Sequence, residues 1–133
     1  MSSTSVTYKP LQFPDEIRLL VLQPARPGYD QPIKWRIKHE RLCHKPQYEA
    51  LSYVWDLGSA GGMKSFSRKT TPTNLSLALQ HLRKQAEPDG RVLWIDALCI
   101  NQKDVKERNH QVTQMGLIYS QAESVIVWLG VGN

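Results

Sequence analysis

The sequence predicts an α/β fold: a partial parallel sheet built from two β-α-β units, with an N-terminal antiparallel hairpin on one edge. Three observations carry that prediction. Leu93-Trp94-Ile95 and Val125–Leu129 are continuous apolar runs without polar alternation, the pattern of strands buried on both faces and normally parallel. Ile33–Lys38 instead alternates strictly, with Ile33, Trp35 and Ile37 facing one way and Lys34, Arg36 and Lys38 the other, as in a half-buried strand. Two segments of helical period separate the strands from Tyr48 onward.

Met1–Thr7 is small and polar and reads as a disordered tail; residues 8–133 read as a single domain. Ile17–Leu22 is short and apolar between Pro14 and Pro24, hence a strand. Pro24–Pro32, with Gly28 and Asp30, is a turn-rich connection to Ile33–Lys38, which pairs back antiparallel. Tyr48–Trp55 is the third strand, followed by a glycine-bearing loop, Asp56–Gly62. Those glycines match neither phosphate-loop spacing, and a plain loop is the simpler reading. Asn74 is suited to cap a helix whose buried stripe is Leu75, Ala78, Leu79, Leu82 and Ala86. Pro88-Asp89-Gly90 stops that helix, and Arg91–Ile95 is the fourth strand. Asp96–Asp104 reads as a loop. Asp104 and Glu107 have the spacing of a capping box for a second helix. Its predicted buried stripe is Val105, Val112, Met115, Tyr119 and Ala122, and Gly116 suggests close packing on the sheet. Val125–Leu129 is the last strand, expected to be fully buried and ending at Gly130.

Composition narrows the function. At 133 residues the chain is long enough for a real core. A net charge of +5 permits an acidic partner, but no exposed aromatic platform accompanies the basic row, so nucleic acid is not singled out. Lys34, Arg36 and Lys38 read more simply as a guarded sheet edge. No apolar run approaches the roughly 20 residues of a membrane span, and the N-terminus has no secretory pattern. Cys43 and Cys99 do not make a disulfide framework, which with the absent signal implies a reducing, cytoplasmic setting. Neither cysteine has paired metal-ligand spacing.

Tyr48–Trp55 resembles the first signature block of the fungal heterokaryon incompatibility (HET) domain. Leu93–Gln102 resembles the second block, continued by Glu107-Arg108 and Gln111-Val112. Met115–Tyr119, Ala122 and Val125–Gly130 resemble the third. Ile17–Leu20 and Asn74-Leu75 also fit the family's pattern. The resemblance implies a fungal, cytoplasmic module of non-self recognition that triggers cell death by protein–protein assembly. Its partners would be a second copy or other HET or NLR-type proteins. It also implies a TIR-like, flavodoxin-like sheet, in which Asp96–Asp104 matches the loop that TIR domains use for self-assembly. Some TIR domains cleave NAD, so NAD is a conceivable substrate although no cofactor is implied. In those enzymes the catalytic glutamate follows the strand matched by Val125–Leu129, which leaves Asp96 or Glu107 as the acid here, or implies a short, inactive relative that binds longer HET proteins. The chain departs from the family pattern at Asp56, where glycine is usual, and over Met63–Thr71, where a short apolar hairpin is usual.

The candidate site gathers at the end of the fourth strand. Asp96 sits where ligands bind in open α/β sheets, either holding a ligand hydroxyl or fixing its own turn through backbone N–H groups. Tyr53 and Trp55 share a strand face and either stack on a flat ligand or join the core. Asn101, Gln102 and Arg108 complete the ligand or assembly candidates. Arg108 either pairs with Asp96 or Asp104 across the loop or binds a partner's carboxylate. Cys99 reads as a buried thiol more readily than as a nucleophile, because no histidine is near in sequence.

Overall fold

The computed structural model describes residues 8–24, 33–53, 73–86 and 88–128. Among these residues five strands form one sheet: β1 (Glu16–Leu22), β2 (Trp35–Arg41), β3 (Glu49–Tyr53), β4 (Arg91–Trp94) and β5 (Ser124–Trp128), in the order β2-β1-β4-β3-β5. Helix α1 (Thr73–Leu82) joins β3 to β4. The turn α2 (Asp96–Cys99) and helix α3 (Val105–Gln121) join β4 to β5. The tail Met1–Thr7, the glycine loop with Asp56, the segment Met63–Thr71, and Trp55, Leu129 and Gly130 lie outside the described residues.

Both predicted β-α-β units are present. β3 is parallel to β4 on one side and to β5 on the other. The chain therefore steps one way from β3 to β4, then returns across β3 to β5. Strands that wind in opposite directions from a shared start carry their connecting helices on opposite faces when both crossovers are right-handed. The side chains agree. Glu49 lies opposite both Leu93 and Ser124, so even-numbered β5 residues share a face with Arg91 and Leu93. On that face Arg91 donates to the Leu82 carbonyl of α1 (3.2 Å), and His81 of α1 meets the Trp128 ring. On the other face Trp94 stands edge-on to Tyr119 of α3, and the Tyr48 hydroxyl donates to the Ile118 carbonyl at 2.6 Å.

The hairpin joins this unit through β1, which is antiparallel to β2 over seven residue pairs and antiparallel to β4. β1 is buried throughout, charged residues included. Its apolar side chains, Ile17, Leu19, Leu20 and Leu22, form one core with Leu51, Leu75, Leu79, Leu93, Trp94 and Ile118. Ile33, Trp35 and Ile37 pack against that core, as their alternation predicts. The tight approach of β1 to the β4 entrance needs a glycine. Gly90 has φ +106°, and a Cβ there would lie 2.6 Å from Val21 Cγ1 and 3.2 Å from the Leu22 carbonyl. Gly90→Ala should therefore cost about 2 kcal/mol or more, through left-handed strain and a contact with a stiff buried valine. Denaturant titration monitored by circular dichroism measures it.

Several expectations are corrected. Helix α1 begins at Thr73, so Asn74 lies inside its first turn and is not the cap. α1 ends at Leu82, leaving Ala86 beyond a short 3₁₀ turn. Asp96–Cys99 is a helical turn and not open loop. Among the described residues β5 is an edge strand with exposed Val125 and Val127, because a continuous apolar run does not reveal how many strands lie beyond it. In α3, Val105 and Val112 point to solvent. The buried residues are Gln111 and Ile118, with Met115, Tyr119 and Ala122 partly buried against the core. Gln111 takes the inward position because its Nε2 donates to the Glu16 carbonyl of β1 at 3.1 Å. Gly116 is exposed, and an added Cβ would meet nothing within 4 Å, so it does not mark close packing.

Candidate functional site

The candidate residues converge on the turn and loop after β4. Trp94 is fully buried, Ile95 is still extended, and α2 starts at Asp96. Ala97, Leu98 and Cys99 then bury their side chains, so the turn is pinned to the core by its own apolar residues. The Cys99 Sγ accepts from the Ile95 N–H at 3.4 Å. Cys99 is part of the buried core, and burial pushes its thiol up to about 12, which disfavours the thiolate.

Asp96 anchors the loop through its backbone. Its carbonyl accepts from Gln102 Nε2 at 2.8 Å and from the Ile100 N–H at 3.4 Å. Its carboxyl is partly buried, and desolvation raises its pKa against the opposing pull of the Ala97 and Asp96 N–H groups. A carboxyl with a raised folded-state pKa favours the fold at pH values below its unfolded pKa. That contribution is lost as pH rises through the folded value. Asp96→Asn should therefore be more stable than the parent at neutral pH, with the difference vanishing below about pH 4. Thermal melts at several pH values measure this.

The loop itself is held by a charge that the candidate set did not include. Arg18, in the middle of β1, is 1% exposed, and its guanidinium grips Glu107 bidentately, at 2.5 Å (Nη1–Oε2) and 2.9 Å (Nη2–Oε1). Glu107 Oε2 also accepts the Asn101 N–H at 2.7 Å. Arg18 further donates to the Cys99 carbonyl (3.3 Å) and the Lys9 carbonyl (2.7 Å). Its cation lies 4.8 Å from the Tyr8 ring centroid, and the Tyr8 hydroxyl donates to the Leu98 carbonyl at 2.9 Å. One buried cation thus ties the N-terminal segment, β1, α2 and the start of α3 together.

The capping box is therefore only half formed. Asp104 caps α3 by accepting the Glu107 N–H at 3.1 Å. The Glu107 carboxylate does not reach back to Asp104; Arg18 and Asn101 take it, while the Asp104 N–H donates to the Asn101 carbonyl. Asn101 Oδ1 accepts from the Lys103 N–H at 3.2 Å, which closes the loop.

Of the predicted residues, Asp96 and Gln102 form one hydrogen-bonded pair and Asn101 and Glu107 another, on the same loop. Arg108 stands beside it without an ion pair to Asp96 or Asp104 among the described residues. Tyr53 closes β3 opposite Trp128, at the carboxyl end of the central parallel strand; Trp55 lies outside the described residues. Arg18 was signalled by the sequence. A single charge inside Ile17–Leu22 demands a buried partner if that run is a strand. Among the described residues no cluster of three or more His, Cys, Asp or Glu side chains suits a metal ion, and no helix is long and apolar enough to cross a membrane. A groove of about 480 Å³, lined by Tyr48, Glu49, Arg91 and Glu123, opens at the amino ends of the parallel strands, opposite to the Asp96 end.

Residues 48–133 match the family described as heterokaryon incompatibility protein (HET). That stretch is well over half of the chain and contains every element from β3 to β5. The chain belongs to the HET family. A curated relative, "Heterokaryon incompatibility protein 6, OR allele" of Neurospora crassa, is 38% identical over 129 residues, covering 86% of this chain. The chain spans only 18% of that relative's length. No solved structure matches. The HET match contains Glu107 but not Arg18, so the hairpin supplies the cation that holds the HET loop.

Proposed function

We propose that this HET chain is an assembly module of fungal incompatibility: it presents the α2–α3 loop and the outer side of α3 to a partner and so contributes to a cell-death response in the cytoplasm. The observation that carries this reading is the Arg18–Glu107 lock. It fixes Asn101–Asp104 in one shape from behind, while Val105 and Val112 are each 56% exposed on the adjoining helix. A rigid loop beside exposed apolar side chains, with Arg108 outside any ion pair among the described residues, suits a docking surface, because little ordering entropy is lost on binding. Glu107 supports the same reading from the other side. Both of its oxygens are engaged, and its side chain is 9% exposed, which suits a structural post better than an acid catalyst. Inducible expression in a fungal host tests it. The parent chain should arrest growth, and Val112→Glu or Arg108→Glu should relieve the arrest while leaving the folded spectrum unchanged. Arrest that survives both substitutions would rule out this surface.

A second reading is TIR-like cleavage of NAD. It draws on Asp96, a partly buried carboxyl of raised pKa near the carboxyl ends of parallel strands, and on the topological switch between β3 and β5. Nicotinamide release by the purified chain, abolished in Asp96→Asn, would support it; no release at any protein concentration would remove it.

A further inference from the structure

We infer that β5 is a self-association edge, which pairs antiparallel with the β5 of a second copy about a two-fold axis through Ile126. The two edges of the sheet are built differently. β2, at one edge, carries Arg36, Lys38, Glu40 and Arg41, the charged decoration that discourages pairing with other chains. β5, at the other edge, is Ser124-Val125-Ile126-Val127-Trp128, with no charge and no proline. Among the described residues it pairs with β3 alone. Its outward side chains, Val125 and Val127, are 46% and 62% exposed. They lie on the α3 face, since Val125 is opposite Ala50, and Ala50 is opposite Trp94.

The strand's own sequence selects a second copy as the occupant. Antiparallel pairing centred on Ile126 puts Val125 of each copy opposite Val127 of the other, and Ser124 opposite Trp128. The exposed valines thus become cross-strand pairs on one face. No charged side chain of the strand meets another, although the chain carries a net +5. A two-fold contact also uses the same patch twice and closes after two copies. Five residues per copy bury far less than the roughly 800 Å² per partner of a stable interface, so the association is weak, in about the micromolar-to-millimolar range. This edge is distinct from the α2–α3 surface above, and its failure leaves that reading untouched.

Sedimentation across a concentration series tests the inference, paired with hydrogen exchange. The parent chain should dimerise as concentration rises, with protection gained at β5. Val127→Glu and Val125→Lys, both at exposed positions, should each sediment as monomers with unchanged thermal melts. Mixing the two variants should restore dimers, because the ammonium introduced into one copy then faces the carboxylate introduced into the other. A parent that stays monomeric, a dimer that survives Val127→Glu, or protection gained only at the α2–α3 loop would overturn it.

Discussion

Glu107→Ala is expected to lose about 3–5 kcal/mol of folding stability, the cost of leaving one partner of a buried ion pair alone. The residual charge is Arg18, which is 1% exposed and keeps only the Cys99 and Lys9 carbonyls as acceptors. Its Nε is already buried without a partner among the described residues. The Asn101 N–H loses its acceptor at the same time. Glu107→Gln, which keeps oxygen and shape but not charge, should fall between parent and alanine variant. Replacing both residues, as in Arg18→Met with Glu107→Leu, should recover most of the loss, since a buried pair exchanged for apolar groups is often close to neutral. Urea titration of the four proteins reads all of this. In the alanine variant, amide exchange at Asn101–Asp104 should quicken by more than the global loss alone predicts.

Trp94→Ala should cost a similar 3–5 kcal/mol, by removing a large, fully buried side chain and leaving a cavity between β4 and α3. Trp94→Phe separates packing from polarity. The indole Nε1 is buried without a hydrogen-bond partner among the described residues, so phenylalanine gives up no bond, keeps an aromatic ring near Tyr119, and should cost well under half as much. A large loss in the phenylalanine variant would mean that the indole N–H does more than fill space. The burial of Trp94, inside the stretch that resembles the second signature block, thus explains its presence without any ligand.

The parallel core of the fold was legible because it depends on period and order. Apolar runs separated by helical segments imply β-α-β units, and strict alternation in Ile33–Lys38 implies an outer hairpin strand. What period does not report is a strand's place in the sheet. Val125–Leu129 reads the same at the centre or the edge, and only the pairing order shows that Val127 is open to solvent. The face of α3 is obscured for a related reason. Counting only apolar residues favours Val105 and Val112, whereas Gln111 goes inward because a β1 carbonyl awaits its amide. At the site, the loop residues were legible from the abrupt change after Ile95. The role of Glu107 was not, because Arg18 lies 89 positions away in sequence, and a capping box accounts for the same glutamate locally.

The most direct test is the double-mutant cycle on Arg18 and Glu107, measured as unfolding free energy by urea titration. If one buried pair holds the HET loop to the hairpin, the two single losses should exceed the double loss by about 2–3 kcal/mol. Losses that add to within about 0.5 kcal/mol would contradict it. The hairpin and the loop would then be independent, with no lock between them.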